Sequence, residues 1–239
     1  MAKIRLFIDH PLAQGQGVAL TPDQAHYLGS VMRQGPGDAL LVFNGRDGEW
    51  LARIKRLAKR GGDLVALRQT AAQRNPPDLW LLFAPIKKAR TDFIVEKAAE
   101  MGAARIVPVQ TDHTNSERIR QDRLQAHAVE AAEQCGGTFV PEVADLTPLG
   151  RLLDGWDPAR RILWADEALA GPAATLAALP RGPWAILIGP EGGWSESERT
   201  RLGALAHVTR VSLGPRILRA DTAAVASLAL WQAALGDWG

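Results

Sequence analysis

Cysteine is nearly absent from this 239-residue chain, and the single Cys135 excludes an intrachain disulfide. It also leaves no Cys-x-x-Cys pair for zinc or redox chemistry, so a reducing, cytoplasmic setting is expected. Histidine is sparse and scattered, at His10, His26, His113, His127 and His207, with no metal-ligand spacing; no metal is expected. An excess of one charge is missing too. The 28 Lys+Arg and 26 Asp+Glu leave a formal charge of +2, so any nucleic-acid surface must come from local clustering. No apolar run reaches the roughly 18 residues of a membrane span, and Lys3 and Arg5 interrupt what would be a signal-type apolar stretch. A soluble, unexported protein with a substantial core is expected.

Proline and glycine mark the organisation. Pro76-Pro77 can continue neither a helix nor a central strand, which places a boundary between a domain over 1–72 and another over 76–239. Before it lie short apolar runs, Ile4 to Ile8, Ala39 to Phe43, Trp50 to Ile54 and Leu64 to Leu67, punctuated by turn signals at Gly37-Asp38 and Asn44-Gly45. These predict a small β-barrel. Thr21 as N-cap and Pro22 at the first helical position predict one helix within it, reaching about Arg33.

Beyond the boundary, strand-like runs (Leu79 to Ala84, Arg105 to Val109, Phe139 to Val143, Arg161 to Ala165, Trp184 to Ile188, Val208 to Leu213) alternate with helical ones. The helical runs are Thr91 to Met101, Glu117 to Gln134, Ser195 to Leu205 and Thr222 to Leu235, with weaker ones near 146–153 and 172–179. Such alternation predicts a mostly parallel sheet covered on both faces.

Two glycine-marked loops, Ile188-Gly189-Pro190-Glu191-Gly192-Gly193-Trp194 and Leu213-Gly214-Pro215-Arg216-Ile217-Leu218-Arg219, each leave an apolar strand and enter a helix. That is where open α/β sheets bind small molecules, and two such turns could line one crevice. Neither is a Walker loop or a Gly-x-Gly-x-x-Gly turn, which argues against a common nucleoside triphosphate site. Arg216 and Arg219 bracket two apolar residues, an arrangement suited to an apolar ligand contact beside an anion. Asp221 or Thr222 could cap the last helix. Lys87-Lys88-Ala89-Arg90 follows the first strand of the second domain and could meet RNA phosphates. Arg33, Arg46, Arg53, Lys55 and Arg56 give the β-barrel its own positive surface, a combination that points to nucleic acid.

The two loops, with His26-Tyr27-Leu28-Gly29-Ser30-Val31-Met32-Arg33 and Asp92-Phe93-Ile94-Val95-Glu96-Lys97-Ala98-Ala99-Glu100-Met101-Gly102, resemble the ribosomal RNA small subunit methyltransferase E family of the SPOUT class. The resemblance runs along essentially the whole chain. It implies a PUA-like barrel followed by an α/β domain with a trefoil knot, a homodimer, S-adenosylmethionine as cofactor, and methylation of N3 of one uridine in 16S rRNA or the assembled small subunit. By position it implies that Gly189, Pro190, Gly193, Leu213, Gly214, Ile217, Leu218 and Thr222 surround the cofactor. Arg219 or Arg216 would stabilise the reacting base, and Arg33, Lys87, Lys88 and Arg90 would hold RNA. A SPOUT ribose 2′-O-methyltransferase and a non-catalytic RNA-binding assembly factor are the alternatives. Two departures stand out: Asp221 shortens an acid the family often carries as glutamate, and Gly137-Thr138 stand where an arginine is common.

Overall fold

The computed structural model describes residues 4–115, 118–169 and 176–239. They form two compact units. One comprises the residues up to Asn75 together with Ala132–Val140, the other Pro76–Ala131 with Pro141–Gly239.

The first unit holds β1 (Arg5–Phe7), β2 (Gly17–Leu20), α1 (Pro22–His26), β3 (Ala39–Phe43), β4 (Glu49–Ala58) and β5 (Gly61–Ala71), in a sheet ordered β1-β3-β4-β5-β2. Only β1 and β3 pair in parallel. Alternation along β2, Val18 and Leu20 in and their neighbours out, buries two side chains with Leu6, Val42, Ile54 and Leu64. Strand β2 escapes a reading of the sequence because it is only four residues long and begins inside the Gly15-Gln16-Gly17 run, which looks like loop.

Thr21 caps α1 in a reciprocal box: its hydroxyl accepts from the Gln24 N–H at 3.2 Å, and Gln24 Oε1 accepts from the Thr21 N–H at 3.0 Å. The helix does not run α-helically to Arg33. After His26 it widens into a π-turn over Tyr27–Val31, and Arg33 takes φ 54°, the left-handed region rare for a side-chain-bearing residue. Ala132–Val140 joins this unit through Arg5, which donates to the carbonyls of Ala132, Glu133 and Gly137 at 2.7 to 2.9 Å and pairs with Glu49. A single boundary at Pro76-Pro77 would place that stretch in the second domain; its contacts group it with the first.

The second unit holds β6 (Leu79–Phe83), α2 (Lys88–Glu100), β7 (Arg105–Gln110), α3 (Gln121–Cys135) as far as Ala131, β8 (Glu142–Val143), β9 (Thr147–Pro148), α4 (Leu149–Asp154), β10 (Arg161–Ala165), β11 (Trp184–Ile188), α5 (Glu196–Ala204), β12 (Val208–Val211) and α6 (Ala220–Ala234). Its sheet runs β12-β10-β11-β6-β7-β8, every pairing parallel, with β9 beside β7. Strands buried on both faces need continuous apolar sequence, which Leu79–Phe83 and Trp184–Ile188 supply. The expected strand at 139–143 is confined to Glu142–Val143, and residues 172–175 of the weak helix near 172–179 lie outside the described residues.

Register sets the site. Phe83 pairs with Ile188, Ile188 with Ala165, and Ala165 with Val211. The last residues of β6, β11, β10 and β12 therefore form one row, and the four loops that follow leave from a single rim. Among the described residues, no helix is long and apolar enough to cross a membrane.

Candidate active site

The loop after β11 is shaped by what packs beneath it. A Cβ on Gly189 would lie 2.7 Å from the Trp194 ring, so only glycine lets the chain pass over that indole. Trp194 is buried and meets Trp164 edge-on at 5.9 Å between centroids, and Arg210 lies over the Trp164 face at 5.3 Å. Gly193 takes φ +71°, and a Cβ there would come within 2.5 Å of Glu167 Oε1. The loop then enters α5 through a second capping box, in which Ser195 Oγ accepts from the Glu198 N–H at 3.2 Å and Glu198 Oε2 from the Ser195 N–H at 3.0 Å.

Against this loop stands the loop after β10, which carries no glycine signature and escapes a motif search. Asp166 has a fully buried side chain between two arginines, with Arg199 Nη1 at 2.5 Å and Arg210 on its other oxygen. Arg199 also reaches Glu167 at 2.5 Å. Burial alone would raise the Asp166 pKa, but the Ala168 N–H and the two guanidiniums favour the carboxylate and hold it below the ordinary range. A depressed carboxyl stabilises the fold above its unfolded pKa and loses that contribution as pH falls through the folded one. Asp166→Asn should therefore cost about 1 to 3 kcal/mol near neutrality. In thermal scans the gap between wild type and variant should close as pH drops below about 4; a gap that persists there would assign the loss to packing.

The loops after β10, β11 and β12, with the start of α2, enclose a cavity of about 450 Å³. This is a size typical of small-molecule sites. Gly189, Pro190, Gly193, Leu213, Gly214, Ile217 and Leu218 line it, as do Arg216 and Arg219. Thr222 does not: it lies exposed in the first turn of α6, where Asp221 Oδ1 accepts from its N–H. Neither Asp221 nor Thr222 caps α6. The N-cap is Arg219, without a side-chain cap hydrogen bond, because the loop geometry starts the helix two residues earlier than the sequence suggests. The walls missed by the sequence reading are Ala165, Asp166, Glu167 and Leu169, which only the strand register brings to the rim.

Charge is distributed unevenly around this cavity. Arg90 is committed within the site, 3.0 Å from Glu191 and 3.7 Å from Asp221, tying the first glycine loop to the start of α6. Glu191 and Asp221 are therefore both held by one guanidinium. Lys87, Arg216 and Arg219 line the same cavity with no side-chain hydrogen bond or ion pair among the described residues. Arg33 belongs to the first unit and is exposed.

The cavity suits a ligand with both apolar and polar parts. Ile217 is 78% exposed at its edge, an apolar side chain left for a ligand to cover, while the loop backbones offer N–H and C=O groups. S-Adenosylmethionine, with an adenine ring and a zwitterionic tail, fits that donor set.

Known proteins agree with this geometry. The RNA methyltransferase domain family matches residues 73–232, and the RNA methyltransferase PUA domain family matches residues 20–67. The ribosomal RNA small subunit methyltransferase E of Synechocystis is 31% identical over 221 residues, covering 89% of this chain and 71% of its own. The Rickettsia conorii protein of the same name is 28% identical over 94% of this chain and 93% of its own. The crystal structure of the Neisseria gonorrhoeae protein of that name, bound to S-adenosylmethionine, superposes with a TM-score of 0.89 at 28% identity, covering 99% of this chain and all of that one. With both domain types present and a relative above 30% identity covered over most of its length, the chain belongs to the ribosomal RNA small subunit methyltransferase E family.

Proposed function

We propose that this protein uses S-adenosylmethionine to methylate N3 of a specific uridine in 16S rRNA. The observation that carries the reading is the convergence on one cavity of both glycine loops and three cations without an ion-pair partner among the described residues, in a chain similar to a protein crystallised with that cofactor. When bound, S-adenosylmethionine supplies an electrophilic methyl group. Gly189, Pro190, Gly193, Leu213, Gly214, Ile217 and Leu218 would hold it.

The protein's own tasks are alignment and charge. Uridine N3 must lose its proton, and the negative charge that develops spreads onto the flanking carbonyl oxygens. We assign that charge to Arg219, with Arg216 beside it, because both line the cavity and neither guanidinium has a carboxylate partner among the described residues. We read Arg90, with its two carboxylate partners, as fixing the cavity wall rather than contacting RNA. Arg33, Lys87 and Lys88 contact RNA phosphates. We also read the protein as a homodimer: Leu230 on α6 and Trp238 beyond it leave apolar side chains exposed, as does Phe93 on α2.

The deciding experiment incubates the protein with labelled cofactor and small ribosomal subunits lacking the modification, then maps the product. Label recovered as N3-methyluridine at one position is the expected result. Label on a ribose 2′-oxygen would replace the base reading with the ribose one. Absence of cofactor binding by calorimetry would remove the enzyme reading altogether.

A further inference from the structure

A second cavity, of about 250 Å³, adjoins the first and shares Lys87, Pro190 and Glu191 with it; its remaining wall is Pro85, Ile86, Lys88, His113 and Asn115. Its one acid, Glu191, is already paired with Arg90, whereas Lys87 and Lys88 have no ion-pair partner among the described residues. The net field inside it is therefore positive and unsatisfied.

His113 is fixed from several directions. Its Nδ1 sits 3.1 Å from both the Gly192 and the Gly193 carbonyl oxygens, so Nδ1 carries the proton and donates. Its Cβ would meet a Cβ on Gly192 at 3.1 Å, which shows how closely it packs on the glycine loop. The preceding residue is held as well: the Asp112 N–H donates to Glu198 Oε1 at 2.9 Å, and Asp112 Oδ2 accepts from Ser195 Oγ at 2.5 Å. The other ring nitrogen of His113, Nε2, has no hydrogen-bond partner among the described residues and is left for a ligand.

We propose that this second cavity seats one ribose–phosphate unit of the substrate RNA beside the target nucleotide. Lys87 and Lys88 take the phosphate, and His113 Nε2 and Asn115 take the 2′-hydroxyl. The proposal rests on the methyl-transfer reading above. A compact ammonium pair suits a phosphate, an imidazole lone pair accepts from a hydroxyl, and the 2′-hydroxyl is the group that separates RNA from DNA. Because Lys87 borders both cavities, backbone held in the second would present its base at the mouth of the first.

The test is equilibrium binding of a 16S rRNA fragment and of its deoxy counterpart, over a range of salt concentrations. Lys88→Gln should weaken RNA binding several-fold and make the slope of log affinity against log salt shallower by about 0.7, one phosphate contact on a single strand. In His113→Asn the side-chain amide can still donate to the Gly192 and Gly193 carbonyls but Nε2 is gone. It should lose affinity for RNA while binding the deoxy strand as wild type does, with affinity for S-adenosylmethionine unchanged by calorimetry. An unchanged salt slope in Lys88→Gln, or equal losses on both strands in His113→Asn, would overturn the proposal. A wild-type protein that binds RNA with these dependences but transfers no methyl group would refute only the reading of the reaction.

Discussion

Replacing Gly189 by alanine is expected to weaken S-adenosylmethionine binding about 10-fold or more, the affinity equivalent of about 1.4 kcal/mol, if much of the overpacking strain falls on the cofactor wall. The added Cβ would lie between 2.7 and 2.9 Å from three atoms of the Trp194 indole, Cε2, Cζ2 and Nε1. That ring cannot retreat, because it is buried against Trp164. The backbone must lift instead, carrying Pro190 and Gly193 with it and distorting the cavity wall. Overpacking of this kind also costs about 1 to 3 kcal/mol of stability, visible in a thermal scan. The cause can be isolated. Phenylalanine at 194 has no indole in the path of the new methyl, so Gly189→Ala combined with Trp194→Phe should recover much of the lost affinity. Calorimetry showing the single variant within threefold of wild type would mean that the loop tolerates a side chain there.

Arg219→Ala should lower the single-turnover rate of methyl transfer at saturating RNA by about 10² to 10³, or 2.7 to 4 kcal/mol of barrier, the usual consequence of removing one preorganised donor from a developing anion. Cofactor affinity should change little. The fold should also tolerate the change, since Arg219 is the N-cap of α6 through its backbone and makes no side-chain cap hydrogen bond. Arg219→Lys should recover part of the rate, because an ammonium supplies charge but lacks the planar fork of donors. If the alanine variant kept the full rate and only bound RNA more weakly, Arg219 would be a phosphate contact and Arg216 the remaining candidate for the anion.

Much of the architecture could be read from local chemistry. The capping boxes at Thr21 and Ser195 mark helix starts because their partners lie three residues away. The strands Leu79–Phe83, Arg161–Ala165 and Trp184–Ile188 are legible because double-sided burial demands unbroken apolar runs. The glycine loops are legible because close packing at Gly189 and left-handed backbone at Gly193 leave no other residue type available. What local chemistry hides is anything decided by register or by distant partners. Asp166 and Glu167 read as an ordinary polar turn until pairing places Ala165 beside Ile188 and Val211. Arg90 reads as one cation in a basic run; only the fold places it near Glu191, 101 residues on, and Asp221. The π-turn over Tyr27–Val31 obeys the same limit, since nothing in its composition separates it from α-helix.

The row formed by Phe83, Ile188, Ala165 and Val211 has a thermodynamic corollary. Cavity residues as far apart in sequence as Lys87 and Ala223 stand together only when four parallel strands are in register, so no short segment of the chain can bind the cofactor by itself. Ligand occupancy and native structure of the second unit are then linked equilibria: cofactor at 100 times its Kd adds about 2.7 kcal/mol to the unit as a whole. The melting temperature of this protein thereby becomes a titratable readout of its cofactor site.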